Sequence, residues 1–222
     1  MRKGQNNGYP AVVRMKRAMN RMKLLPISLL MLLFAGSLAL SAEALDPLPK
    51  IDDLIRAKQF GEAVQLTRQA ADAENIESEF RLGLFYWHGI GVGQNYLEAL
   101  HWVTIAALSG HEKAIAARKL MLPSVDASNL PKTLDWARQR LQKAAEAGNN
   151  SDLVALSKSY SVDYGFENIV EEYYWASLSV AAGDSALLKH RDELTKKIAV
   201  QDAAKAQDRM TAWLEKWRKD KL

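Results

Sequence analysis

The chain has 222 residues, enough for one substantial domain, and an ordinary globular composition with 48% hydrophobic and 25% charged residues. It has no cysteine, which excludes disulfides, thiolate zinc sites and a cysteine nucleophile. Seven basic residues and one acid lie in 1–44; removing them from the 30 basic and 26 acidic residues leaves 23 and 25. The net charge of +4 thus belongs to the N-terminus, and a near-neutral remainder does not suit a nucleic-acid partner.

Residues 24–40 are an uncharged apolar run of 17 positions, preceded by Arg21 and Lys23 and followed by Ala42-Glu43-Ala44. This order predicts a secretory signal with its core at about 22–44, cut after Ala44, or after Ser41 as a second site. An uncleaved anchor in the inner membrane is the alternative, and the leader would then be the chain's contact with the membrane. Either way the positive flank stays inside and residues 45–222 are expected in the periplasm. Met22 would make a compact start for such a signal.

From Pro49 onward, good helix formers dominate and prolines fall between segments. Helices are expected at about 50–58, 61–73, 76–88, 95–109, 112–121, 130–147, 151–162, 167–182, 184–197 and 201–220. Short connections favour antiparallel neighbours, and strand-length alternation is missing. The chain also resembles itself. Trp102 and Gly110 recur as Trp175 and Gly183 at an offset of 73, as Asn95 does in Asn168; Tyr86 recurs as Tyr160 one residue later in register. This predicts a leader over 1–44, a partial helix pair over 45–75, and a repeat region over 76–222 in two tandem units, about 76–147 and 151–220.

Residues 78–110 hold Leu82, Gly83, Tyr86, Gly89, Gly91, Val92, Asn95, Ala99, Trp102, Ala106, Ala107 and Gly110 at fixed spacing. In these positions the chain resembles the Sel-one-like repeat, a relative of the tetratricopeptide repeat. The second unit keeps Tyr160, Trp175 and Gly183, but Ser157 stands where the first has Gly83. The resemblance implies an all-α fold, an α-solenoid of antiparallel helix pairs wound as a Sel-one-like or tetratricopeptide-like superhelix. It gives all these positions structural roles: glycines where helices approach or turn, alanines on one helix face, and Tyr86 and Trp102 packed between helices.

No catalytic, cofactor or metal motif stands out, so a non-enzyme without cofactors is expected. His111-Glu112 opens like a zinc-protease motif, but Ile115 occupies the second histidine's place. Gly89-Ile-Gly91-Val-Gly93 lacks the strand and the Lys-Ser of a phosphate loop. Acid pairs such as Asp52-Asp53 and Glu171-Glu172 read as solvated helix faces. Trp87, His88, Tyr96, His101, Tyr173 and Tyr174 lie outside the repeat's packing set and are the candidate partner-binding residues, with inter-repeat core as the competing reading. The stripe Met210, Trp213, Leu214, Trp217 should pack on the preceding helix.

The expected function is a periplasmic scaffold or adaptor that binds one or more envelope proteins or peptides. An immunity or inhibitor protein against a periplasmic toxin is the alternative. A hydrolase of the β-lactamase type is a further one, disfavoured by the missing cysteines and Ser-x-x-Lys motif.

Overall fold

Two segments of the sequence are apolar around most of their circumference, and the helices are arranged about them. The structure, a computed structural model, describes residues 46–165 and 167–219. The signal expected within 1–44, its cleavage sites and Met22 lie outside these residues. The chain is an all-α solenoid of antiparallel helix pairs, with no strand among the described residues. The helices are α1 (Leu48–Arg56), α2 (Phe60–Asp72), α3 (Ile76–His88), α4 (Tyr96–Leu108), α5 (Glu112–Met121), α6 (Leu130–Ala147), α7 (Ser151–Ser159), α8 (Ile169–Ala181), α9 (Leu188–Thr195) and α10 (Val200–Lys219). No helix of the described residues is long and apolar enough to cross a membrane.

In α4 every residue from Ala99 to Leu108 is buried except the half-buried His101, and in α8 every residue from Glu172 to Ser179 is buried. A helix that is apolar all round must be covered all round. The chain covers α4 with α3, α5 and α6 and the edge of α7, and covers α8 with α7, α9 and α10. One core cluster runs from Ala63 and Leu82 through Trp102, Leu141 and Leu156 to Trp175 and Leu194. A smaller one lies behind α4, around Phe80, Val103 and Met121.

Equivalent N-terminal caps open the two central helices and the elements that follow them. Asn95 accepts from the Leu97 and Glu98 N–H groups, and Asn168 from that of Glu171. The N–H groups of these asparagines donate to the carbonyls of Tyr86 (3.0 Å) and Tyr160 (2.9 Å). After each central helix the chain is capped again: His111 Nδ1 accepts from Ala114 N–H, and Asp184 Oδ1 from Ala186 N–H.

The crossing of α3 on α4 requires Gly83, because a Cβ there would lie 2.5 Å from Val103 Cγ2 and 3.1 Å from the Ala99 carbonyl oxygen. At the matching crossing of α7 on α8, the buried Ser157 hydroxyl donates to the Glu172 carbonyl at 3.1 Å. The serine therefore stands in the place of glycine with its hydroxyl bonded to a backbone acceptor of the facing helix.

Three sequence expectations are corrected. The helix expected over 151–162 ends at Ser159, where the hydroxyls of Ser159 and Ser161 bond back to Leu156 O (2.7 Å) and Lys158 O (2.8 Å), competing with helix continuation. The segment 184–197 opens as a 3-10 turn, Ser185–Leu187, capped by Asp184, before α9 begins. Of the stripe on α10, Met210, Trp213 and Leu214 pack toward the core beside α8, not chiefly on α9, and Trp217 stacks on Trp213 at 5.9 Å.

Gly91 has φ +70°, and a Cβ there would overlap the backbone carbonyl of Phe60 at the start of α2. Gly93, two residues on, has open space at its Cβ position. Gly91→Ala should therefore lower unfolding stability by about 2 kcal/mol or more in urea melts, while Gly93→Ala stays within about 0.5 kcal/mol of the parent. Equal loss in both would show that the turn does not depend on close approach to α2.

Candidate functional site

The six candidate residues separate into three settings. Trp87, His88 and Tyr96 gather at the α3–α4 turn. The Trp87 and Tyr96 rings are 4.6 Å apart at their centroids, Tyr96 is 41% exposed, and His88 is exposed beside the 40% exposed Ile90. His101 is half-buried and stacks on Trp136 at 5.2 Å, and burial lowers its pKa from the usual histidine range.

Tyr173 and Tyr174 are corrected: both are core residues and are not offered to a partner. Tyr173 accepts a hydrogen bond from Gln207 (3.1 Å), and Tyr174 packs edge-on against Trp175 beneath the Arg209 guanidinium. Their helix is covered on all sides, so aromatic side chains there serve packing. The structural positions Leu82, Tyr86, Ala99, Trp102, Ala106, Ala107 and Trp175 are buried, and Tyr160 is half-buried beneath Arg138.

Glu171-Glu172 is not a solvated face. Glu172 is buried and paired with His190 Nε2 at 2.7 Å, and Glu171 is held by Arg209 at 2.6 Å. His111 is likewise a capping residue, bonded through Nε2 to Glu77 at 2.9 Å. No group of three or more histidines or carboxylates among the described residues could hold a metal ion.

A second site was not legible in the sequence. A cavity of about 250 Å³ opens where α3, α4, α6 and α7 meet. Ile105, Leu108, Leu141, Ala144 and Val154 give it apolar walls. Glu79 and Asp152 reach it although they are only 2% and 7% exposed. Arg140 lines the same cavity. Its Nε is 3.7 Å from Glu79 Oε1, its Nη1 is 3.7 Å from Asp72, and its Nη2 donates to the Ala71 carbonyl. Glu79 Oε2 and Asp152 Oδ2 are buried with no hydrogen-bond partner.

Burial pushes Glu79 up to about 8, with Asp152 and Glu74 adding to the rise and Arg140 opposing it. Burial likewise raises Asp152 to about 7, with Glu74 adding and Arg140 opposing. One signal in the sequence could have found Glu79. It lies four residues before Gly83 and three before Leu82, on the packing stripe of α3, where a charge is out of place.

A carboxyl whose pKa is higher folded than unfolded binds more protons in the folded chain between the two values. Its contribution is therefore fully present below the unfolded value and is lost as pH rises through about 8. Glu79→Gln, which cannot ionise, should match the parent near pH 5 and melt roughly 4–10 °C higher at pH 8.5, read by circular dichroism. A constant difference across that range would mean Glu79 is not held protonated.

Comparison with known proteins gives the following. Residues 76–111 match the family model of the Sel1 repeat. A solved structure of a Sel1 repeat protein from Oxalobacter formigenes is 20% identical, with 68% of this chain and 79% of that chain covered and a TM-score of 0.24. No curated protein matches significantly.

Proposed function

We propose that this chain, a helical repeat protein of the Sel1 type, is a non-catalytic adaptor of the bacterial envelope that binds protein partners in the periplasm. Sel1 repeats generally mediate protein–protein interaction. The observation that carries the reading here is the group Trp87, His88, Ile90 and Tyr96 at the α3–α4 turn. His88, Ile90 and Tyr96 are exposed there beside the half-buried Trp87, which also packs on the core, and together they offer aromatic and apolar surface on the helix pair. Large, conformationally restricted aromatics of this kind are favoured anchors in protein interfaces. The periplasmic assignment rests on the leader: basic residues, an apolar run and Ala42-Glu43-Ala44 in signal order.

An inhibitor of one periplasmic enzyme would use the same surface and differ in affinity, holding one partner in the nanomolar range rather than several more weakly.

The test joins export to contact. A C-terminally tagged chain should be recovered from the periplasm with Leu45 as its first residue. Photocrosslinkers at Ile90 and Tyr96 should capture the same envelope protein, while one at Val200, 87% exposed on α10, should not. Recovery from the cytoplasm with the leader intact would overturn the localisation. Equal capture from all three positions would remove the role of the α3–α4 turn.

A further inference from the structure

We propose that the cavity between α3, α4, α6 and α7 receives one basic side chain, a lysine or arginine, from the protein partner, with Glu79 and Asp152 as its counter-charges. The inference rests on the protein-binding reading above and gives it a point of recognition.

Four observations lead to it. The first is an internal comparison. Gly83 of α3 and Ser157 of α7 occupy equivalent crossings, against the carbonyls of Ala99 and Glu172. Four residues before each, α3 has Glu79 and α7 has Leu153, which is fully buried. The same place in the fold therefore accepts a leucine. A buried carboxyl without a full set of partners is destabilising there by comparison. Its presence in α3 calls for a reason other than packing.

The second is the orphaned oxygens. Glu79 Oε2 and Asp152 Oδ2 are cut off from solvent and accept no hydrogen bond, although both residues line the cavity. An ammonium or guanidinium group supplies donors and positive charge together, and charge-assisted bonds are the stronger kind.

The third is the balance of charge. Glu74, Glu79, Asp152 and Asp184 line the cavity against Arg140 and Lys158. Arg140 is shared among the Ala71 carbonyl, Asp72 and Glu79, with its Nε 3.7 Å from Glu79 Oε1 and making no hydrogen bond, so it offsets the carboxyls only in part. Once Glu79 and Asp152 ionise, an anion would meet an acidic excess and a cation is drawn to it.

The fourth is size. A volume of about 250 Å³ suits one long side chain and falls below the range of about 300–1,000 Å³ usual for whole small-molecule ligands. The walls of Ile105, Leu141, Ala144 and Val154 would bury the methylene stem of a lysine or arginine while its head reaches the carboxyls.

Binding of a cation favours the ionised carboxyls, so affinity should rise with pH as Glu79 and Asp152 release their protons. Arg140 from α6, Asp152 from α7 and Glu74 ahead of α3 act on Glu79, with Lys158 and Asp184 also on the cavity.

The probe is the blocked peptide acetyl-Ala-Lys-Ala-amide, titrated into the methyl-labelled full chain and followed by NMR. Saturable shifts are expected at the methyls of Ile105, Leu141 and Val154, with a Kd at least tenfold tighter at pH 8.5 than at pH 6. The peptide with norleucine in place of lysine should give none. Glu79→Gln and Asp152→Asn should each weaken binding at least tenfold. The norleucine control needs no mutant, so the test stands even where a variant folds poorly.

Equal binding of the norleucine peptide, unchanged affinity in both variants, or no shift at 20 mM lysine peptide, a ceiling set by the roughly millimolar affinity of a minimal contact, would each overturn the proposal. Equally tight binding of n-butylamine would overturn it in favour of a free small amine. Crosslinking from Ile90 and Tyr96 separates the two readings. Partner capture that persists in Glu79→Gln/Asp152→Asn leaves the adaptor function standing and removes the basic anchor. Loss of capture in the folded parent chain removes the adaptor function itself.

Discussion

The fold depends on the need to cover two helices on every side. From Ala99 to Leu108, and from Glu172 to Ser179, the chain leaves almost no residue that water could face. Each fully buried leucine or isoleucine on such a helix contributes roughly 1.5–3 kcal/mol relative to exposure. Neither helix could hold its conformation alone or in a simple hairpin. Each recruits the helix before it and two after it: α3, α5 and α6 around the first, α7, α9 and α10 around the second. A helix serving as a shared core also explains the uneven length of the connections. The stretch 122–129 between α5 and α6 is two 3-10 turns, which carry the chain from one side of α4 to another.

Most of this was legible because the signals are local. Asn95 and Asn168 cap helices whose starts the sequence places within a residue or two, and 76–88, 112–121 and 130–147 coincide with α3, α5 and α6. Propensity and capping read nearest neighbours, and those neighbours decide where a helix begins. The end of α7 was less legible because serine hydroxyls choose between solvent and the backbone according to tertiary setting. Ser157 turns to Glu172, whereas Ser159 and Ser161 turn back on their own helix.

The candidate site was legible only in part, for the opposite reason. His88 and Tyr96 sit beside a turn whose repeat pattern is fixed and are exposed there, whereas Trp87 is half-buried and packs on the core as well. Tyr173 and Tyr174 could not be placed from such a pattern. Their burial depends on α10, which brings Gln207 and Arg209 across from more than thirty residues away. The Glu79–Arg140–Asp152 group is assembled from three helices with no regular spacing. Pattern reading treats a charge on a helix as solvated unless a partner lies one turn away.

What makes that group informative is where the two halves of the chain disagree. Their agreement at Tyr86 and Tyr160, and at Trp102 and Trp175, reports the demands of packing, which both halves must meet. Substitution of one structural solution by another, as with Gly83 and Ser157, reports that packing has more than one answer. Glu79 against Leu153 differs in kind, because one of the pair is costly where the other is not. Carboxyls confined beside an apolar cavity interact strongly with charge only while water is excluded, and the same exclusion favours their protonated forms. The repeat can carry such a residue because its neighbours are fully buried. Leu82 and the covered α4 hold the helix in place whether or not the residue before them contributes.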